Sequence, residues 1–337
     1  MNRTRTPILA VTMGDPAGTG PELITRALVD PEILALCRPV VVGDAAVLRA
    51  AAGYTGCTAG IHAVDNIAAA APSADRIEVV DLANIDIARL ELGKVSKPAG
   101  QAGYEYIVRA TELALAGEAA GIVTSAINKE ALNAAGHHFD GHTGLLAELC
   151  KSPGATMMLA AGDLRVSHVS THVSLREAID RVRPERILKV LDLTREALRS
   201  MGIKVPRLAV AGLNPHAGEN GLFGDEEAHY ITPTIEEARR QGYNVSGPHP
   251  GDTVFFRALH GEFDAAVAMY HDQGHVAVKM LGIWRGVNVT LGLPIIRTSV
   301  EHGTNFDMSG TGRSDPRSLI EAIKMAALLS GTKSNTR

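Results

Sequence analysis

An α/β fold built on largely parallel strands is the prediction for this chain, and two observations carry it. Short β-rich apolar runs alternate with helical patterns from one end of the sequence to the other, and that order is what crossover connections between parallel strands produce. Glycine- and proline-punctuated stretches follow several of the runs, so polar side chains should emerge where strands give way to loops, which is where α/β proteins place their chemistry. At 337 residues the chain can form two α/β domains, or one large one, and bury a substantial core unaided.

In chain order, the apolar run at 8–12 forms the first strand. The stretch Gly14-Asp15-Pro16-Ala17-Gly18-Thr19-Gly20 is a glycine-rich loop, and Pro21 at the first helical position opens a helix over 21–29. Strand 39–42 leads to helix 45–52, strand 77–80 to helix 101–116, and strand 121–124 to helices 129–135 and 143–149. Strands 157–160 and 164–168 precede helices 175–181 and 184–201. Strand 207–211 is followed by helix 226–241, strands 265–268 and 287–290, and a last helix over 318–329. The alanine run at 68–71 reads as a helix end or loop, and no internal repeat is present. Turns at 124–128 and 293–297 flank a central block, which predicts one domain from 1–125 plus 297–337 and a second, central domain over 126–296.

Composition excludes several function classes. A formal charge of −4 with both signs interspersed offers no basic face for nucleic acid and no polybasic run for a membrane surface. The basic start at Arg3 and Arg5 precedes an apolar run bounded by Pro7 and ended by Gly14-Asp15-Pro16, too short for a secretory signal. No segment approaches the ~18 apolar residues of a membrane span. Cys37, Cys57 and Cys150 are odd in number and lack C-x-x-C spacing, as expected of reduced thiols in a cytoplasmic protein.

Three histidines stand in the punctuated stretches: His172 in VSTHVSL, His216 in LNPHAGENG and His271 in MYHDQGH. Each alone reads as an ordinary hydrogen-bonded residue at a strand end. Together, neutral imidazoles can hold a divalent metal and leave coordination positions open for substrate oxygens. Asp272 is placed to be a further ligand or to orient an imidazole. Gly141-His142-Thr143 opens a helix where an anion can be gripped, while Lys279, Asn288 and Arg297 follow His271 with charges suited to phosphate or carboxylate. Solvated surface charge is the competing reading for Lys279 and Arg297. The loop at 14–20 departs from both the Rossmann and the Walker patterns and does not identify a nucleotide by itself.

The stretches TMGDPAGTGPE, GHT, STHVSLREA, LNPHAGENGLFGDEE, GPHPGDTVF, AMYHDQGHVAVK and GVNVTLGLPIIRTSVEHGTNFDMSG, in this order across essentially the whole chain, resemble the 4-hydroxythreonine-4-phosphate dehydrogenase family. The resemblance implies two α/β domains around an active-site cleft, similar to isocitrate and isopropylmalate dehydrogenases. It implies that His172, His216 and His271 bind a divalent metal, with one ligand from the second subunit of a homodimer. His142, Thr143, Lys279, Asn288 and Arg297 fall on positions that hold the phosphorylated substrate. The segment from Glu301 to Asp307 resembles the cofactor loop, with Gly303, Thr304 and Asp307 expected at NAD or NADP. Gly144, Glu301 and Asn305 depart from the usual family residues, and the ENGLFGDEE and HDQGHVAVK forms look closer to the sister branch acting on 4-phosphothreonate or 4-phosphoerythronate.

The expected chemistry is oxidation of a secondary alcohol by hydride transfer to NAD, then decarboxylation of the resulting β-keto acid. Lys129 and Asp272 are the candidates for the base. Histidine ligands suit zinc, with cobalt, manganese or magnesium as alternatives. Two other readings stand beside this one: acyl transfer of the phosphate acetyltransferase kind, and a noncatalytic protein that binds a metal and a phosphorylated metabolite.

Overall fold

The computed structural model describes residues 6–282 and 284–333. The expected α/β class is borne out; Arg3 and Arg5 lie outside the described residues. The strands are β1 (Ile8–Thr12), β2 (Arg38–Gly43), β3 (Gly60–Ala63), β4 (Arg76–Asp81), β5 (Gly121–Thr124), β6 (Thr156–Ala161), β7 (Leu164–His168), β8 (Leu208–Ala211), β9 (Val245–His249), β10 (Ala265–Ala268), β11 (Val287–Leu291) and β12 (Arg297–Val300).

The chain divides into two compact units. One extends to Pro153 and resumes at Leu293; the other is Gly154–Gly292. In the first, strands run in the order β3-β4-β2-β1-β5-β12 and every pairing is parallel. His142, Thr143 and Arg297 therefore belong to one unit. β1 is buried along nearly its whole length, as expected of a parallel strand covered on both faces. The helix Lys97–Leu115 is capped by the Ser96 side chain on the Ala99 amide. Gly100 on this helix lets it approach helix Lys129–Ala134 so closely that a β-carbon there would lie 2.0 Å from the Ala131 carbonyl oxygen.

In the second unit the order is β11-β6-β7-β10-β8-β9. β6 is antiparallel to both β7 and β11, and the remaining pairings are parallel. Side chains alternate between two apolar clusters: Leu208, Val210, Ala265 and Val267 join one, while Ala209, Ala211, Ala266 and Ala268 join the other. That is the period of two in a strand buried on both faces.

Several elements differ from the sequence expectation. β3, β9 and β12 and the helices Pro31–Leu36, Val254–Leu259 and His271–Lys279 were not expected. The helix expected over 226–241 is a π-helical turn, Glu227–Ile231, followed by an α-helix, Thr232–Arg240. Pro233 cannot donate a backbone hydrogen bond, and the register changes beside it.

Candidate functional site

In the first unit, polar groups gather at the C-terminal ends of β1 and β5 and at the start of β12. Arg297 is 2% exposed, and its Nε and Nη2 donate to Thr124 Oγ1 at 3.2 and 2.8 Å. Burial brings its pKa down to about 9, the direction expected of a guanidinium kept out of water. Thr12 is in register with Thr124 across β1 and β5.

Gly141, at φ 144°, turns the chain into helix His142–Leu149. Its first residue, His142, is half-buried as a whole, but Nε2 is sealed from solvent and has no partner. Burial, then the Arg297 charge, hold the imidazole well below its usual pKa, against a smaller opposing effect of the Ser125 backbone. The Ser125 hydroxyl is likewise sealed and unpartnered. Thr143 follows on the same turn and is half-buried, whereas Lys129, the first residue of its helix, is exposed.

The glycine-rich loop lies against the expected cofactor loop. The Thr19 amide donates to the Thr304 carbonyl at 3.0 Å, and Ser309 Oγ donates to the Ala17 carbonyl at 2.7 Å. Glu22, fully buried, accepts from the Gly310 amide and the Ser314 hydroxyl. Gly14 has φ +76°, and a β-carbon there would fall 2.4 Å from the Ala126 carbonyl oxygen. Asp15 is 2% exposed; one carboxylate oxygen accepts from the Ala17 amide and the other is sealed without a partner, and burial pushes its pKa up to about 6. Of the expected cofactor residues, Gly303 and Asp307 are exposed, and the Thr304 carbonyl is engaged by Thr19.

In the second unit, His172 follows β7 and His271 opens helix His271–Lys279. Their ring centroids are 5.6 Å apart, and both line a cavity of about 480 Å³ with Ser174 and Tyr270. His271 Nδ1 meets Asp272 Oδ1 at 2.6 Å. That contact lowers the Asp272 pKa, which fits the carboxylate for orienting the imidazole and makes it a weak base. His275 stacks on His271 at 3.5 Å, and fully buried His168 lies 4.7 Å behind His275. Burial lowers the pKa of His275 to about 4 and of His168 to about 3, so both rings are neutral at pH 7.

His216 lines a different hollow, with Asn220, Glu227 and Pro250. Its segment is left-handed, φ running from 44° to 81° over His216–Asn220, a conformation that non-glycine residues hold only when their surroundings enforce it. Glu227 provides that enforcement: Oε1 accepts from the Leu213 and Asn214 amides at 2.8 Å each, and Oε2 accepts from Asn214 Nδ2 at 2.9 Å. The sequence offered only GDEE as a motif and no sign of this anchoring role. His168, His275 and Ser125 were missed as well, because their interest comes from contacts distant in sequence. Lys279 is exposed at its helix end, and Asn288 on β11 has its Oδ1 sealed without a partner.

Among the described residues, no group of three or more His, Cys, Asp or Glu is gathered as a metal would require. One chain thus brings two of the three expected histidine ligands face to face and puts the third elsewhere. The donor set itself, imidazoles with one fixed by a carboxylate, fits a divalent transition metal. No described helix is long and apolar enough to cross a membrane.

Residues 35–326 match the family model described as PdxA: Pyridoxal phosphate biosynthetic protein PdxA. A Symbiobacterium thermophilum protein with the provisional name D-threonate 4-phosphate dehydrogenase is 45% identical over 331 residues, 98% of this chain and 99% of that protein. The crystal structure of 4-hydroxythreonine-4-phosphate dehydrogenase from Klebsiella pneumoniae is similar with a TM-score of 0.90 and 44% identity, covering 98% of this chain and 99% of that one. A more distant structure, terephthalate 1,2-cis-dihydrodiol dehydrogenase from Burkholderia xenovorans LB400, gives a TM-score of 0.68 at 31% identity over 96% of this chain and 98% of that one.

Proposed function

The chain belongs to the PdxA family and is an oxidoreductase acting on a CH–OH group, and within that class we propose a cytoplasmic, NAD-dependent, divalent-metal-dependent dehydrogenase of a 4-phosphorylated 3-hydroxy acid. The substrate is 4-phospho-D-threonate, 4-phospho-D-erythronate or 4-hydroxythreonine 4-phosphate, and oxidation is followed by decarboxylation. NADP is the alternative cofactor. The observation that carries the reading is the approach of His172 and His271 on one cavity, ring centroids 5.6 Å apart, with Asp272 against the second ring, a donor set that fits a divalent metal beside a substrate oxygen.

His142, Thr143, Lys279, Asn288 and Arg297 would bind the phosphorylated substrate, and a fixed phosphate lends binding energy to orientation of the reacting carbon. Gly303, Thr304 and Asp307 would border the cofactor. His172, His216 and His271 would hold the metal, zinc by ligand type or else cobalt, manganese or magnesium, with a second copy of the chain supplying one ligand. When bound, that cation polarises the alcohol oxygen. A base would take the alcohol proton, a bound nicotinamide would supply the hydride acceptor, and the ketone so formed would lie β to the carboxylate, which would leave as CO2. For the base, Lys129 and Asp272 are the proposed groups, and the lowered Asp272 pKa favours Lys129.

The test is NADH absorbance with each of the three substrates under defined metals, run beside His216→Ala. The reading expects turnover by the native protein, and loss of both metal binding by calorimetry and turnover in the variant. Absence of NADH with every phosphorylated hydroxy acid, or full activity in metal-free His216→Ala, overturns it.

A further inference from the structure

Imidazoles of the second unit form a series from the buried sheet to the cavity. His168 on β7 is fully buried, and its Nδ1 faces the Met157 carbonyl at 3.4 Å. His275 lies against it, ring centroids 4.7 Å apart, and is 6% exposed. Its Nδ1 donates to the His271 carbonyl at 3.0 Å, since a carbonyl only accepts. The His275 ring then covers one face of the His271 ring almost flat, at 3.5 Å and 11°. His271 in turn lines the cavity with His172.

The other restraint on His271 is softer. Asp272 Oδ1 meets its Nδ1 at 2.6 Å, which puts the hydrogen there and leaves the Nε2 lone pair for a metal. The Asp272 side chain is 80% exposed, and one bond to one ring atom lets the ring plane tilt about that atom. A flat neighbour removes the tilt. His275 cannot share a metal with His271: the imidazole lone pair lies in the ring plane and reaches a metal at about 2.0–2.1 Å. Two planes stacked at 3.5 Å and inclined by 11° do not meet within that reach.

We propose that His275 is a positioning residue for His271: braced from the sheet by His168, its ring sets the plane of the proposed metal-ligating imidazole and thereby the metal affinity. Gly274 lets the brace close, because a β-carbon there would lie 2.4 Å from His168 Nε2. This rests on the metal-dependent reading above and adds to it a residue outside the three proposed ligands.

The experiment compares native protein, His275→Asn and His275→Phe. It reads zinc affinity by calorimetry and the visible bands of the cobalt-loaded protein, which report the geometry around the metal. Asparagine keeps a donor for the His271 carbonyl and removes the ring. Phenylalanine keeps a flat ring and drops the donor, leaving that carbonyl its helical amide partner. Zinc affinity is expected to fall about tenfold or more in His275→Asn, with shifted cobalt bands, and to stay within about threefold of native in His275→Phe, with native bands. A structural role alone lowers the urea midpoint of both variants and leaves the cobalt bands of the folded protein unmoved, and that result overturns the proposal. So does equal loss of zinc affinity in the two variants. Should one variant fail to fold, the other still decides, because weakened zinc binding in His275→Phe or unchanged binding in His275→Asn each counts against the ring. A native protein that binds neither zinc nor cobalt overturns the parent reading, and is seen before any variant is made.

Discussion

At the scale of single residues, Asp15 shows how a strand-end loop trades stability for a buried polar group. Its carboxyl ordinarily titrates at 3.8 and in the folded chain at about 6, because burial disfavours the charged form. Between those values the folded state keeps a proton that the unfolded chain has lost, so stability falls as pH rises from about 4 to about 6 and stays lower above. Asn at this position keeps the carbonyl acceptor for the Ala17 amide and cannot ionise. Asp15→Asn is expected to raise stability at neutral pH by up to roughly 3 kcal/mol, with the gain vanishing below about pH 4. Urea unfolding of the ligand-free protein at pH 4, 5 and 7 measures it, and a gain independent of pH would rule out ionisation as the cause. Asp15 could be read from the sequence as part of a glycine-rich loop, but its burial could not. The same division holds for the histidines: motif order singled out His172, His216 and His271, whereas Glu227, which clamps the His216 segment through Leu213 and Asn214, is a carboxylate among many until the fold brings it in.

Elements were legible where apolar periodicity was clean and missed where function or an edge position diluted it. β1, β5, β7 and β10 match their expected bounds. β12 begins with a buried arginine and reads RTSV, which looks like a turn until β5 is found beside it. β9 contains Gly247 and Pro248, tolerable in a strand at the end of its sheet's order. Helix His271–Lys279 has the sequence HDQGHVAVK and no side-chain cap, so its polar first turn resembles a loop. Packing holds it: a β-carbon on Gly274 would lie 2.4 Å from His168 Nε2 and 2.7 Å from Val166 Cγ1, and both of those side chains are fully buried. Alanine at 274 would gain up to about 1 kcal/mol of helix propensity against an overpacking cost of about 1–3 kcal/mol. Gly274→Ala is therefore expected to destabilise on balance and, by moving the helix that His271 opens, to weaken metal binding. A midpoint of urea unfolding at or above that of the native protein would show that the helix shifts freely.

For the whole molecule, the proposed metal site calls for a second copy of the chain, because among the described residues of one chain His172 and His271 approach each other while His216 lines a different hollow. The second unit has a surface suited to that association. Phe256 is 64% exposed on helix Val254–Leu259, Val276 is 61% exposed on helix His271–Lys279, and Met280 is 81% exposed at that helix's end. Phe256 and Val276 border one hollow with Phe255, Leu259 and Leu281. Apolar side chains clustered in this way mark association surfaces, and a two-fold axis would use the same patch on both subunits. Because both positions are exposed, Phe256→Glu with Val276→Glu should leave the fold intact while placing charges at the centre of this patch. The expected outcome is a monomer by light scattering with a native circular dichroism spectrum and greatly weakened zinc binding by calorimetry, whereas His216→Ala loses zinc affinity and stays dimeric. The two variants separate assembly from ligation. A charged double variant that remains a dimer assigns the interface to another surface, and a monomer that binds zinc as tightly as the native protein excludes a site shared between subunits.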